Sequence, residues 1–337
     1  MHRCLQLARL GAGYAAPNPL VGSVLVFQDR IIGEGCHQQY GGPHAEVNCF
    51  DSVKDSDRQF ITECTLYVSL EPCAHFGKTP PCANRIVAEG IRRVVIGMQD
   101  PFAAVNGKGI AILQQSGIEV ITGVLEKECR WLNRRFLTFH TKKRPYIHLK
   151  WAQTADGFMG YGEGERLLIS GGLTNRLVHR FRSEEAAILV GTQTALLDNP
   201  QLSNRWWWGA SPLRVVIDRK SRLPRYGDLF TDGKPLMLLT ENPQVGEGAV
   251  TEILLSENTG LSPMLEVLYN HNIQSVLVEG GAKLLQSFLD EGIWDEAHII
   301  TNTSLLANTG IKAPAISGFL QSSKKLGFDS IKCLINQ

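Results

Sequence analysis

Two hydrophobic periods alternate along the chain. Residues 2–12 (HRCLQLARLGA) place Leu5, Ala8 and Leu10 at helical spacing and predict an amphipathic helix. VGSVLVF (21–27) and RIIGEG (30–35) are β-rich runs, predicting two strands joined at Gln28-Asp29. After Pro43, residues 44–53 (HAEVNCFDSV) return to helical spacing, and TLYVSLE (65–71) predicts a short strand. PPCANRIVAEG opens on prolines and closes on Gly90, the punctuation of a helix. RRVVIGM (92–98) and IEVITGV (118–124) predict further strands around a helix at 109–116. This alternation predicts a layered α/β sheet.

The charged turn HTKKRPY (140–146) contains Pro145, and beyond it the pattern starts afresh. Strands are predicted at 146–153, 186–191, 213–218, 235–240, 275–281 and 296–301, with helices at 173–183, 262–272 and 282–291. The expected organisation is therefore two α/β domains, residues 1–141 and 145–337, which suits a chain of 337 residues. No internal repeat is visible.

Composition narrows the function classes. Hydrophobic residues make up 43% and charged residues 20%, ordinary for a globular protein with sizeable cores. Lys+Arg number 34 against 33 Asp+Glu, a net charge of +1 that favours neither nucleic acid nor a membrane surface as main partner. No apolar run approaches the ~20 residues needed to span a bilayer. Arg9 interrupts the first apolar stretch, which suits a surface helix better than a signal peptide. The cysteines at 4, 36, 49, 64, 73, 82, 129 and 333 do not form a disulfide framework in a chain this long, so a reducing, cytoplasmic setting is expected.

The sharpest chemical signal is His44-Ala45-Glu46 followed by Pro72-Cys73 and Cys82. One imidazole and two thiolates suit Zn²⁺ and leave a fourth tetrahedral position for water, whose pKa falls towards neutrality. Glu46, two residues from His44 in the first helical turn, can face that position without binding metal and shuttle protons to a leaving amine. Zinc base deaminases share this logic, a histidine, a non-ligand glutamate and a Pro-Cys-led cysteine pair. Here eight residues, AHFGKTPP, separate the cysteines. The competing reading is a structural zinc site, closed by a fourth ligand from Cys36, Cys49 or Cys64, or a set of buried unreactive thiols.

Pro17-Asn18-Pro19, His37 ahead of Gly42-Pro43-His44-Ala45-Glu46, LEPCAHFGKTPPC (70–82), Gln99-Asp100-Pro101 and Asn106-Gly107-Lys108-Gly109 together resemble the bifunctional riboflavin biosynthesis deaminase/reductase family. The resemblance covers essentially the whole chain. It implies a cytidine-deaminase-like α/β/α domain followed by a dihydrofolate-reductase-like α/β domain. It also implies hydrolytic deamination of 2,5-diamino-6-ribosylamino-4(3H)-pyrimidinone 5′-phosphate, with zinc on His44, Cys73 and Cys82 and with Glu46 delivering the proton that releases ammonia. Matching positions put Asn18 and His37 near the pyrimidine and Lys78, Thr79, Asp100 and Asn106 around the ribose phosphate. A lysine in a Gly-Lys-Thr loop suits a phosphate independently of the resemblance.

The second half carries no GxGxxG, so a dinucleotide-binding Rossmann domain is not indicated. Val278-Glu279-Gly280-Gly281 joins a predicted strand to a predicted helix, where backbone N–H groups can approach a phosphate; alone, a tight turn explains it as well. YIHLKWAQTADG (146–157), ILVGTQTALLDNPQLSNR (188–205), LRVVID (213–218) and VEGG (278–281) resemble the reductase domain of the same family. That implies NADPH reducing the opened ribose to ribitol. The implied NADPH contacts are Ala152, Leu168, Thr194, Asp198 and the helix start Gly281, Ala282, Lys283, Leu284, Leu285, Gln286 and Ser287. The implied substrate contacts are Arg166, Arg182, Leu202, Arg205 and Glu279. Arg182 and Arg205 have the planar fork that suits a phosphate, and Arg219, just after a strand end, is a candidate for meeting the 2′-phosphate of NADPH. A homodimer through the reductase domain is also implied. The triplet Trp206-Trp207-Trp208 reads as an irregular, half-buried loop.

Other readings stay open from the sequence: a nucleic-acid base deaminase with an accessory domain, a zinc-stabilised scaffold, or a deaminase with an inactive reductase domain.

Overall fold

The computed structural model describes residues 1–74, 80–102, 105–161, 167–244, 248–257 and 260–336. Contacts divide the chain into two units, Met1–Lys142 and Lys143–Gln337.

In the first unit, α1 (His2–Ala8) precedes β1 (Gly22–Phe27) and β2 (Arg30–Cys36), which pair antiparallel. Then come α2 (Ala45–Asp51), β3 (Thr65–Leu70), α3 (Cys82–Ala88), β4 (Arg93–Met98), α4 (Lys108–Gln115), β5 (Glu119–Ile121), α5 (Glu126–Leu132) and α6 (Arg134–Lys142). The sheet runs β2-β1-β3-β4-β5, with β3, β4 and β5 parallel. Leu25, Leu66, Val68, Val94 and Ile96 from the strands pack on Phe50 of α2, Ile86 of α3 and Leu113 of α4. A Cβ at Gly35 would lie 2.3 Å from Ala45 O and from Cys49 N, so only glycine lets α2 rest directly on β2. That contact fixes the helix whose first turn carries Glu46.

The second unit opens with β6 (Tyr146–Gln153), β7 (Phe158–Gly160), α7 (Gly172–Glu184), β8 (Ala187–Gly191), α8 (Thr192–Asp198), β9 (Leu213–Ile217) and α9 (Asp228–Thr231). It continues with β10 (Leu236–Thr240), β11 (Val250–Leu254), α10 (Leu261–Asn270), β12 (Ser275–Val278), α11 (Ala282–Asp290), β13 (Glu296–Asn302), β14 (Ile311–Lys312), β15 (Phe319–Leu326) and β16 (Asp329–Ile335). Its main sheet is ordered β11-β10-β9-β8-β12-β6-β13-β16-β15, parallel from β11 to β13 and antiparallel at β16 and β15. Both faces of the parallel part are covered, which is why β8 is an apolar run and every residue of β12, Ser275 included, is buried. On one face, Ile147, Leu149, Trp151 and Val276 meet Leu265, Leu285 and Phe288; on the other, Ile188, Val190 and Leu277 meet Phe181.

Several elements were not legible in the sequence pattern. β15 is exposed along almost its whole length, so it has no inward positions to show a period of two. The strand predicted over 118–124 ends at Ile121, before Gly123 turns to a positive φ of 83°. Helices α5, α6 and α8, of seven to nine residues, have no counterpart among the predicted elements.

Candidate active sites of the two units

The candidate metal ligands of the first unit come from two helix starts and one strand end. His44 immediately precedes α2, Cys82 opens α3, and Cys73 lies just past β3. His44 Nδ1 stands 3.5 Å from Cys73 Sγ and 3.3 Å from Cys82 Sγ, and the three donor atoms lie within 4.8 Å of one another. Among the described residues no fourth protein donor joins this group. Cys36, Cys49 and Cys64, the candidates for closing the site, are buried in the apolar packing. Burial pushes the Cys49 thiol up to about 12, the mark of an inert core cysteine. The Cys82 thiol and the Cys82 N–H, 3.2 Å away, both donate to Cys73 Sγ and pull the Cys73 thiol well below its usual value. A borderline-soft donor set with an open corner fits zinc.

Glu46 is 3% exposed, and its carboxyl meets the Cys82 thiol beside this group. Burial, with the Cys73 charge adding to it, pushes the Glu46 carboxyl up to about 7, where it can both take and give a proton. His37 is also buried; its Nδ1 lies 3.0 Å from Pro43 O and its Nε2 3.1 Å from the Asn18 amide. The His37 ring meets that of His44 edge-on at 5.5 Å, so Asn18 and His37 form one wall beside the metal group. Burial lowers the His37 pKa.

Asp100 and Asn106 belong to the 99–109 segment. Asp100 is buried and accepts from Phe102 N–H, whereas Asn106 is exposed and accepts from the Gln99 amide at 2.9 Å. This segment is held by a residue the sequence reading passed over, Glu71. One Glu71 oxygen accepts from Asp100 N–H and Gly107 N–H, the other from Gly109 N–H and Ile110 N–H. The signal that could have found it is a carboxylate directly before Pro72-Cys73 with an Asn-Gly-Lys-Gly turn to cap. Lys78 and Thr79 lie outside the described residues.

In the second unit, several expected reductase residues gather at the C-terminal ends of β6, β8 and β12. Arg182 of α7 donates to both Glu279 oxygens at 2.8 and 2.7 Å and to Ser203 O at 3.0 Å. Lys150, missed in the sequence, stands 3.9 Å from the same carboxylate. Burial alone would raise the Glu279 carboxyl, but Arg182 and Lys150 overcome it and hold it at about 2. His179 accepts from Arg205 N–H at 2.8 Å, and burial with the nearby Arg182 and Arg205 charges lowers it to about 4. Arg205 itself donates to Gln201 and Ser203 and lies over Trp206, whose ring is 4.7 Å from that of His179. Trp206 and Trp208 are more than half exposed.

Thr194 lies against the glycine pair at the start of α11: a Cβ on Gly280 would stand 2.8 Å from Thr194 Cγ2. Gly281 takes a positive φ of 72° there, so Gly281, Ala282 and Lys283 present backbone at a helix start. Leu285 is fully buried in the core and Leu284 packs against it, whereas Gln286 bonds Asp290 and Ser287 bonds Lys283 O along the helix. Asp198 ends α8, and Ala152 lies near the end of β6. Leu168 is 78% exposed, and Leu202 is buried with a left-handed backbone. Arg219 is engaged by Glu241 at 3.1 Å. Arg166 lies outside the described residues. Glycines at a helix start beyond parallel strand ends fit a nucleotide cofactor.

Residues 1–98 match the cytidine and deoxycytidylate deaminase zinc-binding region, and residues 145–332 match the RibD C-terminal domain. The riboflavin biosynthesis protein RibD of Aquifex aeolicus is 36% identical, covering 98% of this chain and 91% of its own length. That of Escherichia coli is 35% identical over 91% of this chain and 88% of its own. The crystal structure of a diaminohydroxyphosphoribosylaminopyrimidine deaminase/5-amino-6-(5-phosphoribosylamino)uracil reductase from Thermotoga maritima superposes with a TM-score of 0.91 at 36% identity, covering 100% of this chain and 97% of that one. The expected fold is borne out, a cytidine-deaminase-like domain followed by a dihydrofolate-reductase-like domain. No helix among the described residues is long and apolar enough to cross a membrane. The chain belongs to the RibD family, bifunctional riboflavin biosynthesis enzymes that join a zinc deaminase to a reductase and act on small molecules.

Proposed function

We propose that the first domain hydrolyses 2,5-diamino-6-ribosylamino-4(3H)-pyrimidinone 5′-phosphate to the uracil and ammonia. The second domain, on this reading, uses NADPH to reduce the ribosyl group of 5-amino-6-(5-phosphoribosylamino)uracil to ribitylamino. The observation that carries the first half is a three-donor group beside a buried carboxylate that is not among the donors. His44, Cys73 and Cys82 would hold zinc, whose Lewis acidity makes water nucleophilic near neutral pH. Glu46 accepts the proton that the attacking water gives up and passes it to the departing amine. A C–O bond forms at the ring carbon bearing the 2-amino group as its C–N bond breaks. His37 and Asn18 orient the pyrimidine, and Lys78, Thr79, Asp100 and Asn106 hold the ribose phosphate.

In the second domain, Arg182, Leu202, Arg205 and Glu279, with Arg166 by the family resemblance, would contact the substrate. Ala152, Leu168, Thr194, Asp198, Arg219 and the helix start Gly281–Ser287 would contact NADPH. The Arg182–Glu279 pair positions rather than merely attracts, because both carboxylate oxygens are engaged at 2.8 and 2.7 Å. The proposed boundaries are 1–141 and 145–337. Eight unbridged cysteines, seven of them buried, suit a reducing cytoplasm. A homodimer through the reductase domain rests on the family resemblance, and light scattering on the purified chain tests it. The decisive experiment follows ammonia release and NADPH oxidation separately on the diamino pyrimidinone phosphate. Zinc removal should abolish both in sequence, and supplying the deaminated nucleotide should restore NADPH oxidation alone. Ammonia release undiminished by complete zinc removal would overturn the first half of the reading.

A further inference from the structure

The second unit holds a buried cluster that neither reaction uses. The parallel register sets His148 of β6 opposite Glu296 of β13, and the antiparallel register sets His298 opposite Cys333 of β16. Residues 296 and 298 share a face by the strand period of two, so three adjacent strands bring these side chains to one patch of the sheet. His148 Nε2 lies 2.8 Å from His298 Nδ1, and His298 Nδ1 lies 3.5 Å from Glu296 Oε1. The three residues are 1%, 3% and 8% exposed for His148, Glu296 and His298. Phe181 of α7 closes over both rings, 5.1 Å from His148 and 4.3 Å from His298.

From this patch we infer a second metal site, in which His148 Nε2, His298 Nδ1 and a Glu296 oxygen bind a divalent transition ion of the zinc type. The donor chemistry is apt, since two imidazoles and a carboxylate are borderline ligands for such ions. The surrounding bonds are those that metal-binding side chains carry. Glu185 Oε1 lies 2.9 Å from His148 Nδ1 and accepts its proton, which leaves the Nε2 lone pair pointing at the cluster. Tyr146 donates to Glu296 Oε2 at 2.8 Å, leaving Oε1 on the cluster side. The Cys333 thiol, 3.7 Å from Glu296 Oε1, is a further soft donor at the edge.

Charge also favours the ion. Glu185 and Glu296 bring two carboxylates into one buried site, and a divalent cation balances both. Binding replaces the hydrogen bond between His148 Nε2 and His298 Nδ1, and the proton between them moves to His298 Nε2, so that both cluster nitrogens present lone pairs to the ion. With bonds of about 2.0–2.1 Å, tetrahedral donors sit about 3.3 Å apart. The His298–Glu296 separation is already close to this, and the two rings part by a few tenths of an ångström.

Metal stoichiometry of the full-length chain, grown with zinc and dialysed, tests the site independently of either activity. Two zinc equivalents per chain are expected, falling to one in Cys82→Ser and to one in His298→Gln, the latter with ammonia release intact. One equivalent in the wild-type chain, or two persisting in His298→Gln, would overturn it. If His298→Gln does not fold, cobalt substitution of Cys82→Ser supplies the readout. Visible d–d bands of a cobalt ion in that variant support the site, and a colourless, metal-free variant rejects it. Failure here leaves the deaminase zinc untouched, since that ion is lost with Cys82 and not with His298.

Discussion

The Glu71 carboxylate lies 2.9 Å from the Gly109 N–H, inside the first turn of α4 and one residue before Pro72-Cys73. With its other bonds, to Asp100, Gly107 and Ile110, it ties the strand end that carries a candidate zinc ligand, Cys73, to the segment that carries two phosphate-loop candidates. Gly109 is required at this approach, because a Cβ there would stand 1.9 Å from Pro72 O.

Glu71→Gln replaces an acceptor that faces four N–H groups with an amide that must turn an NH₂ towards two of them. The expected result is a KM for the pyrimidine nucleotide raised roughly 10-fold, about 1.4 kcal/mol of lost binding, with zinc content unchanged. Gly109→Ala should lower thermal stability through backbone displacement. Steady-state kinetics with metal analysis checks both, and an unchanged KM in Glu71→Gln would remove the positioning role.

Glu46→Gln keeps the size of the side chain and removes its proton-carrying capacity. Ammonia release should fall by roughly 10²–10⁴-fold, the usual worth of a general acid–base group. One zinc equivalent should remain on His44, Cys73 and Cys82, and NADPH oxidation with supplied deaminated nucleotide should continue. Loss of the metal together with activity would instead make Glu46 a ligand.

Glu279→Gln leaves Arg182 and Lys150 buried without their shared counter-charge. Breaking such a pair costs about 3–5 kcal/mol, and denaturant unfolding should register a loss of that order. The sign with pH follows from the folded value of about 2 against the ordinary 4.5. The pair's contribution is complete above pH 4.5 and lost as pH falls through 2. His179, lowered from 6.5 to about 4, acts in the same direction over a higher window: stability declines as pH falls from 6.5 to 4. His179→Asn should flatten that decline, and an unchanged slope would contradict the depressed value.

Arg219 is tied to Glu241, which also holds Lys220 at 2.8 Å. If this strand end meets the 2′-phosphate, Arg219→Ala should raise the KM for NADPH several-fold more than that for NADH. Equal effects on the two cofactors would remove Arg219 from cofactor selection.

Some of this was readable in the sequence because it is local. The predicted strands at 21–27, 65–71 and 92–98 correspond to β1, β3 and β4, since burial on a sheet face imposes a spacing that a short window contains. His44-Ala45-Glu46 places a candidate ligand directly before α2 and the carboxylate in its first turn, so their proximity was also implicit. β15 was silent because an exposed strand owes nothing to a core. Glu71 and Lys150 were silent for another reason: their partners lie 29 or more positions away, and no window holds both ends of such a bond.

The sequence by itself determined the two alternating α/β patterns, the glycine, proline and cysteine punctuation, and which residue types stood ready for zinc. Only the tertiary structure decided that His44, Cys73 and Cys82 converge within 4.8 Å, that Glu71 caps α4, and that Arg182 faces Glu279. It also decided that His148, Glu296 and His298 meet across two strands. Secondary structure follows short-range burial and backbone geometry, whereas charge pairs and metal donors meet through sheet register and helix packing, which depend on the whole chain at once.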